Sequence, residues 1–121
     1  MLSREERLTR RRDFAAVYGR KKSWAGPLLV LYVRRHSPAE TAETRRFGFS
    51  VSKKVGKAVV RNRVKRRLRA ICAARGAGWR HGFDAIFVAR SSAAEATFAE
   101  LDAAVCALMG RAGLCVSAAS E

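Results

Sequence analysis

The 121-residue chain has two prolines, three cysteines and ten acidic side chains against twenty-five lysines and arginines. Scarce proline together with 49% hydrophobic residues excludes a wholly disordered chain, in spite of a formal net charge of +15. No apolar run approaches the roughly 20 residues that span a bilayer. The opening MLSREERLTRRRDF has no uninterrupted apolar segment after its charges, so a cytoplasmic location is expected. Cys72, Cys106 and Cys115 form an odd set without close ligand spacing, which reads as reduced packing thiols.

Catalytic groups are scarce too. Hydrolysis of a phosphodiester by a protein needs a general base or carboxylates that hold metal ions. The acidic residues are spread out; Asp13 and Asp84 lie near segments able to face a cleft, and each reads as a helix-start or loop residue. His36 and His81 have no nucleophile or ligand cluster around them. VGKAVV is a fragment of a phosphate loop and no more. We therefore assign no catalytic and no metal-binding residue.

What the chain does have is cationic charge, which points to a polyanionic partner: nucleic acid first, anionic membrane second. The length suits one domain over residues 1–121, with the first few residues and the tail after about 112 expected to be loose. In TRRRDFAAVYGRKK, Phe14, Val17 and Tyr18 recur at helical spacing, with Thr9 as N-cap and Gly19 as stop. Residues 27–35 read as a strand led by proline. From Arg45, Phe47, Phe49 and Val51 alternate with Gly48, Ser50 and Ser52, so one face is apolar and the other small and polar. We expect three strands in segment 27–52, with a hairpin arm near Arg45. A helix over about 58–75, a strand over 84–90 and a helix opened by a Thr97–Glu100 capping box complete an α+β sandwich with one sheet. In the last helix Phe98, Leu101, Val105 and Leu108 share the apolar seam.

The stretch RNRVKRRLR, residues 61–69, has six cations in nine positions. On a helical wheel Val60, Val64, Leu68 and Ile71 form a seam. Arg61, Lys65 and Arg69 form a row on the far side with Asn62 and Arg66, while Arg63 and Arg67 flank the seam. Like charges at i, i+4 cost roughly 0.2–0.5 kcal/mol per pair, and no carboxylate offsets them here. An ordinary solvated face would interleave signs, so a phosphate-binding helix is the better account. Asn62 leaves two roles open: contact with a base edge or 2′-hydroxyl, or a helix-start residue.

FSVSKKVGKAVVRNRVKRRLR, residues 49–69, resembles the signature region of the bacterial ribonuclease P protein subunit, with Arg61, Asn62 and Arg63 matching its Arg-Asn-Arg motif. RRRDFAAVY resembles the family's N-terminal helix, LLVLYVRR its first strand and DAIFVAR the strand after the basic helix. The resemblance implies a two-layer α+β sandwich of order α-β-β-β-α-β-α with a left-handed crossover, similar to the second domain of a small-subunit ribosomal protein. It further implies a subunit that assists a catalytic RNA, itself dependent on Mg2+, in removing the 5′ leader from precursor tRNA. By match to the family, Arg61, Asn62, Arg63, Lys65, Arg66 and Arg69 would bind the catalytic RNA. Phe14, Tyr18, Tyr32, Ser50, Ser52, Lys53, Lys54, Arg10 and Arg11 would line a cleft for the single-stranded leader. The partners implied are ribonuclease P RNA and precursor tRNA, with one protein per RNA and no membrane. Two features depart from the family pattern: Gly19 follows Tyr18 directly, and the tail after Gly110 has little basic character.

The residues by themselves leave packing roles open for the three aromatics and a solvated role for Lys53 and Lys54. A ribosomal or assembly protein would share the basic helix without needing an aromatic cleft, and a protein-only nuclease would need the carboxylates that are missing.

Overall fold

A computed structural model describes residues 2–40 and 42–116. The elements are α1 (Arg11–Gly19), β1 (Ser23–Ala25), β2 (Leu29–Arg35), β3 (Arg45–Ser50), α2 (Ala58–Arg75), β4 (Phe83–Ala89) and α3 (Phe98–Arg111). Their sequence is α-β-β-β-α-β-α. The strands form one mixed sheet in the order β1-β2-β4-β3, where β2 runs antiparallel to β1 and β4, and β3 runs parallel to β4. Parallel neighbours need a long crossover, and α2 supplies it.

Three strands do precede the basic helix, but segment 27–52 holds only two of them, β2 and β3, and no hairpin arm forms near Arg45. Arg45 belongs to a continuous β3 that pairs with β4 from Arg45↔Phe83 to Ser50↔Val88. The additional strand is Ser23–Ala25, which folds back on β2 through a tight turn closed by Gly26 N–H to the Leu29 carbonyl at 2.8 Å. Three residues are too few to show a period of two, so the sequence pattern hides it.

Alternation divides the sheet. Leu29, Leu31, Val33, Phe47, Phe83, Ala85 and Phe87 face the main core with Val64, Leu68 and Ile71 of α2 and Leu101, Val105 and Leu108 of α3. The opposite face consists of three cross-strand rows: Arg34–Asp84–Arg46, Tyr32–Ile86–Gly48 and Val30–Val88–Ser50. α1 covers the middle row, where Val17 and Leu8 pack on Ile86 with Phe14, Tyr32 and Val88 around them. The two long helices and the sheet thus make the sandwich, and α1 lies on its far side.

α1 ends at Gly19, where a stop is expected, but departs from expectation at its start. Thr9 is not its cap, because the chain there is drawn out along the β3 edge by Leu8 N–H to the Phe47 carbonyl at 2.9 Å; the N-cap is Arg10. Gly19 remains helical. The chain leaves through Lys21, which adopts φ 57° while its N–H donates to the Tyr18 carbonyl. α2 occupies the expected span, and its C-terminal end is closed by buried Arg45, whose Nη1 donates to the carbonyls of Gly76, Trp79 and Arg80 at 2.9, 3.2 and 3.2 Å. The capping box of α3 is present, with Glu100 N–H on Thr97 Oγ1 at 3.0 Å and Thr97 N–H on Glu100 Oε1 at 2.8 Å. Phe98 departs from its seam: it is 45% exposed, whereas Leu101, Val105 and Leu108 are buried.

Of the ends expected to be loose, Leu2 is buried in the main core and Leu114 is fully buried; residues 117–121 lie outside the described residues.

Candidate nucleic-acid interface

The row Val30–Val88–Ser50 stays half-exposed beside α1, so it forms a shelf. Its wall is aromatic. Tyr18 and Tyr32 meet edge to face with centroids 4.9 Å apart, and the Tyr18 hydroxyl is hydrogen-bonded to Ser50. Burial pushes the Tyr18 phenol above its ordinary value in spite of that bond, so it stays protonated and able to donate at any physiological pH. The Phe14 ring lies against Gly48: a Cβ placed there would come within 2.7 Å of it. The small face predicted at Gly48, Ser50 and Ser52 is therefore partly filled by the protein's own Phe14. Ser50 alone of the two serines is on the sheet. Ser52 lies beyond the strand, where its Oγ accepts from Lys54 N–H at 3.3 Å and its carbonyl from Val55 N–H at 3.0 Å.

Lys53 and Lys54 are exposed on that turn, and Arg10 and Arg11 are exposed at the start of α1. Ser52 and Lys54 share a pocket of about 440 Å³ with Arg90, Ser91 and Ser92. Sequence reasoning missed Arg90. The signal was its position just past a strand, but only the parallel pairing of β3 with β4 brings the two strand ends together.

On α2 the polar side chains fall into two groups. Asn62, Arg66 and Arg69 are exposed, and Lys65 and Arg61 are half-buried. Arg61 Nε is buried with no hydrogen-bond partner among the described residues. Arg63 and Arg67 are tied down instead: each donates to a carbonyl of the segment before α3, Arg63 to Ala94 at 3.0 Å and Arg67 to Ala96 at 3.1 Å. Arg63 thus has a structural partner besides any role toward RNA. The cationic row of α2 and the aromatic shelf lie on opposite faces of the sheet.

The first row of the shelf side is an ion network that the sequence reading did not foresee. Asp84 is neither a helix-start nor a loop residue; it is fully buried in β4. Arg46 grips it with two bonds of 3.1 and 2.9 Å, Arg34 adds one at 3.1 Å, and His36 Nε2 lies 3.0 Å away. An ionised carboxylate only accepts, so His36 bears its proton on Nε2. Burial opposes the charge on Asp84, but Arg46 and His36 outweigh it and hold the carboxyl below its ordinary value. Asp13 also has a structural partner, Arg46, at 3.2 Å. Glu40 pairs with Arg34 through two bonds of 2.9 and 2.8 Å. Among the described residues no three His, Cys, Asp or Glu side chains converge as a metal site would require, and no helix is long and apolar enough to cross a membrane.

These surfaces define a small α+β protein with exposed cationic side chains on both sides of one sheet. The ribonuclease P family model matches residues 2–113. The chain is 39% identical over 113 residues to the ribonuclease P protein component of Clostridium novyi, covering 93% of this chain and 98% of that protein. It is 44% identical over 119 residues to the one from Streptomyces avermitilis, covering 91% and 97%. Among solved structures it is similar to the Staphylococcus aureus RNase P protein, with a TM-score of 0.80 at 28% identity over 90% of this chain and 96% of that one. The Thermotoga maritima RNase P protein gives a TM-score of 0.76 at 28% identity, over 88% and 96%. The chain belongs to the ribonuclease P protein family.

Proposed function

We propose that the chain is the protein subunit of ribonuclease P and assists a catalytic RNA, which works with Mg2+, in endonucleolytic removal of the 5′ leader from precursor tRNA. The observation that carries this reading is the placement of two unlike surfaces on opposite faces of one sheet. The α2 row of Arg61, Asn62, Lys65, Arg66 and Arg69 grips the RNA subunit, with Arg63 contributing from its tether at Ala94. Arginine suits this because its planar fork meets phosphate oxygens in pairs. The shelf takes the leader. Tyr18 and Tyr32 offer π faces on which bases stack without regard to sequence, as a subunit serving many precursors requires. Lys53, Lys54, Arg10 and Arg11, together with Arg90, neutralise the leader's phosphates. One protein acts per RNA.

The test is reconstitution with the cognate RNA subunit at low Mg2+. Cleavage of a leadered precursor should be much faster with the protein than without it. Tyr18→Ala should lower affinity for precursors with a long leader by roughly 5- to 160-fold, from a stacking contribution of about 1–3 kcal/mol per base. Leaderless substrates should be unaffected. Equal losses for both substrates would remove the leader from the shelf.

A further inference from the structure

A second concavity, of about 750 Å³, opens between the N-terminal segment, the exposed side of α2 and the first turn of α3. Its size falls in the roughly 300–1,000 Å³ range of pockets that take small organic groups. The floor is α2 itself at Ala70, Ala73 and Ala74, where methyl side chains let a partner come close to the helix. Phe98 forms one wall: it is the first residue of α3, and the Thr97–Glu100 capping box fixes the backbone turn that bears it. Arg67 is held at the rim by the Ala96 carbonyl, 3.1 Å away and two residues before Phe98. Arg7, Arg66 and Arg69 complete the rim, and all three are exposed.

A half-exposed aromatic ring costs the protein apolar surface in water, and the apolar seam of α3 closes without it. A ligand stacked on the ring would cover that surface. The cations around it select an anion, and the ring together with the shallow alanine floor selects something flat. A nucleotide meets both demands, and Arg66 and Arg69 belong to the row that holds RNA in the function proposed above. The geometry points to this groove as a niche for one unstacked nucleobase of the ribonuclease P RNA, with its ring against Phe98 and its flanking phosphates on Arg66, Arg69 and Arg7. The inference rests on α2 being the RNA-gripping helix. It adds a base contact to what would otherwise be a phosphate-only interface, and so a means of fixing the register of the RNA on the helix.

Equilibrium binding of the full chain to the cognate RNA subunit tests this. Phe98→Ala should weaken binding by roughly 5- to 160-fold, the range expected for one stacked base. Phe98→Trp should keep wild-type affinity, and its fluorescence should be quenched on RNA binding beyond the change shown by the wild-type tryptophans. Phe98→Leu, apolar but without a π face, should bind as poorly as the alanine variant. All three should unfold within a few degrees of the wild type, because the ring is 45% exposed. Full affinity in Phe98→Leu would overturn stacking. If Arg66→Ala and Arg69→Ala weaken binding while Phe98→Ala does not, the niche is wrong and the helix reading stands. If none of the three weakens it, the reading of α2 itself fails. Self-association of the free protein that Phe98→Ala abolishes, with RNA affinity unchanged, would assign the groove to a second copy and overturn the proposal.

Discussion

Asp84 holds two guanidinium groups and an imidazole on one fully buried carboxylate. Removing one partner of such a buried pair typically costs about 3–5 kcal/mol, because the remaining charges lose their compensation. Asp84→Asn should destabilise the fold by that amount in urea titrations at neutral pH. The carboxyl titrates below its ordinary value in the folded state, so its contribution is fully present above the unfolded value of about 3.9 and is lost as pH falls through the lower folded one. Stability of the wild type should therefore drop below about pH 4, with Glu40 and Asp102, which Arg34 and Arg75 hold low, contributing in the same direction. The variant should show a shallower acid slope, and an unchanged slope would place the titrating group elsewhere. Gly48 makes a second case. An alanine Cβ would lie 2.7 Å from Phe14 Cζ and 2.9 Å from Cε2, and that half-buried ring packs against the Leu8, Val17 and Ile86 cluster. Gly48→Ala should cost about 1–3 kcal/mol of stability by overpacking and should displace the α1 wall of the shelf. Neither residue announced its role. In FDAIFVA an aspartate within a strand apolar on both sides already signals a buried and paired charge, but its partners lie 38 and 50 residues away in β3 and β2. Gly48 read as open space because periodicity reports which face a residue is on and not what covers that face.

At the level of elements, α2 separates cations that serve the fold from cations that strain it. Arg67 donates to Ala96, and loss of such a bond costs about 0.5–1.5 kcal/mol. Lys65 instead stands between Arg61 and Arg69 at i−4 and i+4, so Lys65→Ala relieves two repulsive pairs of about 0.2–0.5 kcal/mol each and introduces a better helix former. We expect Arg67→Ala to lower the thermal midpoint and Lys65→Ala to raise it slightly, while Lys65→Ala still weakens binding to the RNA subunit. A residue whose removal stabilises the protein and harms binding is one retained for its ligand. A fall in stability for Lys65→Ala would count against that reading. The span of α2 was legible because four apolar residues at helical spacing override a run of like charges, and the capping box of α3 was legible because it is local. β1 was not, since Ser23–Ala25 is defined by its pairing with β2 and not by its own pattern. Nor was the tethering of Arg63 and Arg67, because their acceptors come from a segment 29 to 31 residues later.

For the whole molecule, the sheet keeps the two proposed RNA surfaces apart: α2 packs on the face of Leu31, Phe47 and Phe87, and α1 on the face of Tyr32, Gly48 and Ile86. A net charge of +15 supports both by a shared field, and this field is screened by salt. If six to ten phosphates are neutralised, affinity for the RNA subunit should fall by about 10³- to 10⁵-fold between 50 and 200 mM monovalent salt. Local contacts behave differently from the field. Substitutions more than about 7–10 Å apart without shared partners add within about 0.3–0.5 kcal/mol. Lys65→Ala and Tyr18→Ala, on opposite faces, should therefore add in their effects on assembly of the complete complex with leadered precursor tRNA, measured at one fixed salt concentration. Lys65→Ala by itself should lower affinity for the RNA subunit and leave the advantage of leadered over leaderless substrate unchanged, whereas Tyr18→Ala should do the reverse. Coupling well beyond 0.5 kcal/mol in the double variant would mean that catalytic RNA and leader share one surface. The sheet would then be a single platform and not a partition between two.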